Sequence, residues 1–128
     1  MRVLSIKLKR LALCIIVTVF LECQICNDKT IPEELIGVWE TSAPHYENCF
    51  FKLNDEMIIF NNGLDYINAN HITNLETSPE RESVLYNIYY EDEKGQEYKL
   101  SLFYFKTPNG GVIKFKNQKE IKWTRRED

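Results

Sequence analysis

Leu35-Ile36-Gly37-Val38-Trp39-Glu40-Thr41 is the stretch on which the reading of this 128-residue chain turns. Side chains in an extended segment alternate with period two. Leu35, Gly37, Trp39 and Thr41 therefore share one face, with a large indole at its centre. Just upstream, Thr30-Ile31-Pro32-Glu33 has the T-x-x-E form of a capping box with Pro inside the first turn. A single helical turn is thus expected to lead directly into the strand. At the far end of the chain, Ile121-Lys122-Trp123-Thr124-Arg125 alternates in the same way and places Arg125 on the face of Trp123.

Between these two segments the chain reads as short strands separated by turn residues. Asn48–Leu53 puts Cys49, Phe51 and Leu53 on one face. Glu56–Phe60 follows, and then Asn61-Asn62-Gly63, a hairpin signal because Asn and Gly tolerate positive φ. Tyr66–Thr77 is a long strand poorer in apolar residues. Its Ile67, Ala69, His71, Thr73 and Leu75 face is expected inside, and the face of Asn68, Asn70 and Asn74 is expected in solvent. Val84–Tyr90 and Tyr98–Phe105 flank the turn Asp92-Glu93-Lys94-Gly95, and Pro108-Asn109-Gly110-Gly111 precedes Val112–Asn117.

About eight strands with little helix predict an all-β antiparallel meander. Such a sheet has two edges to protect, and joining the first strand to the last removes both. A closed or nearly closed barrel is the expectation, with an open, strongly curved sheet as the alternative. Glu33, Glu34 and Glu40 around the first strand and Lys122, Arg125 and Arg126 around the last favour closure.

The N-terminus carries a different signal. Arg2, Lys7, Lys9 and Arg10 precede an apolar run from Leu11 to Leu21 that is 11 residues long, well short of a bilayer span of roughly 18 or more. Residues 1–26 are read as a signal peptide forming a signal helix, with an uncleaved membrane anchor as the alternative. Residues 27–128 are read as a single β domain. The protein is expected to be exported to the periplasm or cell envelope and to meet a membrane only through its N-terminal segment. Cys23 and Cys26 are lipidation candidates, although Glu22 and Ile25 replace the small residue that normally precedes a lipidated Cys. Cys26 and Cys49 are a candidate pair in an oxidising compartment, and a buried Cys49 is the simpler alternative.

Without residues 1–23 the chain keeps 12 basic and 18 acidic residues, a net charge of −6. An acidic exported domain is a poor partner for nucleic acid. The charge is polarised, with 15 acids against 4 bases in residues 28–97 and 7 bases against Glu120 alone in residues 106–126. The basic tail is expected to pair with neighbouring acidic strands.

Gly37-x-Trp39 on the first strand, a preceding helical turn and a cation on the last strand resemble the calycins, the superfamily of lipocalins and fatty-acid-binding proteins. The resemblance implies a lipocalin-like barrel closed by Gly37, Trp39 and Arg125, with the guanidinium over the indole. It also implies non-catalytic binding of a small apolar or amphipathic ligand in the barrel mouth. The domain is shorter than a typical lipocalin, which leaves little interior. It also resembles small exported bacterial proteins, a comparison that brings no activity with it.

Candidate chemistry is sparse. His45 and Cys49 lie across a Pro-led loop, and His71 stands alone on its strand, so no metal or other cofactor is expected. No Gly-x-Ser-x-Gly elbow, phosphate loop or dinucleotide fingerprint occurs, and no enzyme is expected. Trp39, Phe51, Ile67, Tyr86, Phe103 and Phe115 are the candidate lining of a ligand cavity, against the alternative that these side chains simply fill the interior. Tyr86, Tyr89, Tyr90, Tyr98, Phe103, Tyr104 and Phe105 crowd both faces of one hairpin. That excess gives the second functional expectation, a cell-envelope protein-interaction module using a Tyr-rich surface.

Overall fold

The computed structural model describes residues 30–64 and 66–127; the segment 1–26 read as a signal peptide, with Cys23 and Cys26, lies outside them. Eight strands follow a 3-10 turn, Glu33–Leu35: β1 (Gly37–Glu40), β2 (Cys49–Leu53), β3 (Met57–Asn62), β4 (Ile67–Pro79), β5 (Val84–Glu91), β6 (Glu97–Phe105), β7 (Val112–Phe115) and β8 (Gln118–Arg125). Each pairs antiparallel with the next, and β8 returns to β1, closing the barrel in sequence order. Among the described residues no helix is long and apolar enough to cross a membrane.

The closing seam is short. Only Trp39 opposite Arg125 and Glu40 opposite Thr124 are in register, extended by Arg126 N–H donating to the Val38 carbonyl at 2.7 Å. Side chains seal what the backbone does not. The Arg125 guanidinium carbon lies 5.0 Å from the Trp39 ring centroid, and its terminal nitrogen donates to the Glu34 carbonyl. Trp39 Nε1 donates to the Leu35 carbonyl at 2.9 Å. The turn thus plugs one end of the barrel, with its own Leu35 and the preceding Ile31 buried. Its N-cap is Pro32, which has no side-chain group to cap with and stands two residues after the Thr30 at which the sequence places the cap. Gly37 has φ +141°, while a Cβ there would sit in ordinary contact with Arg125 at 3.6 Å. The backbone conformation, not lack of space, calls for glycine.

The interior is filled by its own aromatic side chains. The Phe51 ring stacks on Trp39 at 6.4 Å and meets Phe115 at 5.3 Å and Trp123 at 5.2 Å. Tyr104 packs edge-on to Trp39. Offset and edge-to-face pairs of this kind use the ring quadrupole as well as buried area.

One expected face is inverted. Residues directly opposite in an antiparallel pair share a face. Asn70 lies opposite the buried Ile58, and Asn68 opposite Phe60, so the Asn68, Asn70 and Ile72 side of β4 points inward. Ile67 is 62% exposed and Asn70 only 2%. The register slips between Ile72 and Asn74, and beyond the slip Leu75 sits opposite the buried Ile88. A β-bulge therefore changes the phase partway along the strand. The expected face holds for Leu75 and fails for Ile67.

Candidate binding site at the open end of the barrel

The end opposite the 3-10 turn is half covered. The loop between β1 and β2 lays Tyr46 edge-on against Trp123 at 6.2 Å, and the Tyr46 hydroxyl accepts from Gln118 Nε2 at 3.0 Å. That cover closes the end over β7 and β8. The side formed by β3, β4, β5 and β6 stays open, and there the inward faces change from aliphatic to amide and phenol.

This change builds a recess of about 350 Å³. Phe60 and Asn62 reach it from β3, Asn68 and Asn70 from β4, Tyr90 from β5 and Tyr98 from β6; Tyr66 and Asp92 complete its rim. Tyr90 and Tyr98 are opposite in register and stack at 5.5 Å with their planes 24° apart. Phe60 meets Tyr90 at 5.8 Å and 55°, so the rings form two walls set at an angle. Burial, and secondarily the neighbouring Tyr98, raises the Tyr90 phenol above its ordinary range.

Hydrogen bonds hold the polar members. The Asn70 amide nitrogen donates to the Ile58 and Asn68 carbonyls at 3.4 and 3.3 Å and to Asn68 Oδ1. Asp92 Oδ1 accepts from the backbone N–H groups of Lys94 at 2.9 Å and Gln96 at 3.0 Å, and Oδ2 accepts from the Tyr98 hydroxyl at 3.3 Å. The backbone bonds, that of Gln96 first, hold the Asp92 carboxyl below its usual range. Its negative charge is therefore fixed beside the rings at neutral pH.

The wall is also split. β5 pairs with β4 only from His71 opposite Glu91 downward, which leaves Ile67–Asn70 without a strand on that side. A second cleft of about 380 Å³ opens there, reaching Ile67 and Ala69 on one bank and Glu93 and Lys94 on the other. Leu64, Tyr66, Ile67 and Tyr98, the exposed large hydrophobic residues among those described, all lie around this end.

The six side chains expected to line a cavity are dispersed. Trp39, Phe51 and Tyr86 are buried in the packed interior, and Phe115 sits half-buried against Phe51 and Trp123. Ile67 is on the rim and borders the outer cleft. Phe103 is on the outer wall, 5.3 Å beneath the Lys119 ammonium. The closing set Gly37, Trp39 and Arg125 comes together at the opposite end. Of the hairpin tyrosines, Tyr86 and Tyr104 belong to the core, and Tyr89 donates to Glu76 Oε1 at 2.7 Å on the outside. The chain matches no protein-family model, no curated protein and no solved structure.

The recess itself was missed in the sequence because an Asn-rich strand face reads as solvated. The signal that pointed to it was Asn68-x-Asn70 in phase with the buried Ile72. Among the described residues no group of His, Cys, Asp and Glu is placed to hold a metal ion. Cys49 is half-buried at the start of β2, opposite Asn62; Cys26 lies outside the described residues.

Proposed function

We propose that this is a non-catalytic binding protein of calycin-like type, taking a small amphipathic molecule in the open end of its barrel. The observation that carries this reading is the recess of about 350 Å³, walled by Phe60, Tyr90 and Tyr98 and floored by asparagine amides. Ligand sites combine apolar and aromatic walls with a few placed polar groups, in volumes of about 300–1,000 Å³. The filled interior below it supports binding at the mouth over binding in the centre, and supports a compact ligand over a long acyl chain. Export to the periplasm or cell envelope remains part of the proposal through the N-terminal segment.

Calorimetric titration with a panel of small amphipathic compounds tests this reading. A compound that binds should lose most of its affinity in Tyr98→Ala and keep it in Phe103→Ala. Equal affinity in both variants would remove the mouth as the site.

A second reading uses the same end. The exposed Leu64, Tyr66, Ile67 and Tyr98 form an apolar rim suited to docking an envelope protein. Leu64→Ser with Ile67→Ser separates the two. It should abolish capture of a protein partner while leaving small-molecule titrations unchanged.

A further inference from the structure

We propose that the open-end recess selects an organic cation, an amine or quaternary ammonium carried on a compact apolar body. This rests on the mouth-binding reading above and names its ligand class. Four of the side chains around the recess are aromatic: Phe60, Tyr66, Tyr90 and Tyr98. The faces of such rings are the negative ends of their quadrupoles and attract a cation held against them. The stacked Tyr90 and Tyr98 and the tilted Phe60 make a corner, which presents ring faces from two directions.

Charge points the same way. Among the described residues no lysine or arginine lines the recess, and Asp92 is the one carboxyl that does. Two backbone N–H groups and the Tyr98 hydroxyl hold that carboxylate in place. The flanking turn adds Glu91, Glu93 and Glu97 against Lys94 alone. A fatty acid would meet this rim with a charge of the same sign, and Lys94, which borders the adjoining cleft, stands among more carboxylates than it can offset. Asn62, Asn68 and Asn70 supply neutral acceptors and donors for a hydroxyl or carbonyl on the same ligand.

The discriminating probes are choline, its uncharged carbon isostere 3,3-dimethylbutan-1-ol, and dodecanoate. Each would be titrated into the purified protein while the ring resonances of Tyr90 and Tyr98 are followed by NMR. Choline is expected to shift those resonances and to bind at least about tenfold tighter than the isostere, a margin of ~1.4 kcal/mol. Asp92→Asn keeps an acceptor for the turn and should remove most of that margin. Tyr98→Leu keeps apolar bulk without a π face and should do the same. If the isostere or dodecanoate binds at this end as well as choline does, the preference for a cation is wrong and mouth binding stands. If none of the three probes moves the Tyr90 and Tyr98 resonances, both the cation preference and the mouth-binding reading fall.

Discussion

Arg125 and Trp39 are opposite each other across the shortest seam of the barrel, with the guanidinium carbon 5.0 Å from the indole centroid. Two residues separated by most of the chain thus close the sheet, and the same arginine ties the seam to the plug through the Glu34 carbonyl. Removing the side chain takes away the cation–π contact and the bond to that carbonyl together. Arg125→Ala should cost about 1–3 kcal/mol in urea unfolding. Arg125→Lys should recover only part of this, because an ammonium lacks the planar fork that reaches both partners. The exposed pair Arg126 and Glu40, 2.8 Å apart, is a useful contrast. Arg126→Ala should cost about 1 kcal/mol or less.

Gly111 gives a second test of close packing. Its φ is +93°, and a Cβ would stand 2.4–2.6 Å from ring and hydroxyl atoms of the buried Tyr104. Gly111→Ala combines backbone strain with a clash against a ring that cannot withdraw. A loss of about 2–4 kcal/mol is expected. The double variant Gly111→Ala with Tyr104→Leu should lose less than the sum of the two single changes.

The inverted face of β4 is testable by a pair of substitutions. Ile67→Ser changes a residue that is 62% exposed and should shift stability by no more than about 0.5 kcal/mol. Ile72→Ala empties a core position and should cost about 2–5 kcal/mol. The face expected from simple alternation would give the opposite ranking.

The same strand shows how far the sequence could be read. Strand number, antiparallel order and the partnership of first and last strands were legible, because turn residues and period-two alternation are local signals. The closing contact was legible because Gly37, Trp39 and Arg125 lie in strands whose faces could be phased independently. The β4 face was not, since alternation carried through Thr73 crosses a bulge and loses phase there. Asn68 and Asn70 face inward where the barrel opens, so polarity at an inside position marks the mouth and not the solvent side. Phe103 is expected to line a cavity, whereas Leu102 and Tyr104 fill that layer and Phe103 lies under Lys119 on the outer wall. Composition alone does not separate an aromatic that packs inside from one that shields a lysine stem.

Alkaline pH offers a further check. The Tyr86 hydroxyl donates to Glu34 Oε1 at 2.5 Å. Burial first, and then Glu34, raises the Tyr86 phenol above its ordinary value of 10.0. A phenol whose folded value exceeds the unfolded one contributes stability that is complete below about pH 10 and is lost as pH rises toward the folded value. Unfolding free energy should therefore fall above pH 10. Tyr86→Phe should cost about 1 kcal/mol at neutral pH and flatten that alkaline slope. Tyr104, also raised by burial first and then by Glu34, should leave part of the slope in place.

The central claim is that the ligand sits in the open end and not in the barrel's centre. Intermolecular NOEs, recorded with the tightest compound found by titration, locate it directly. Contacts from the ligand to the ring protons of Phe60, Tyr90 and Tyr98 and to the side-chain amide of Asn70 are the expected result. Contacts to Trp39, Phe51 or Trp123, or to Phe103 on the outer wall, would contradict it.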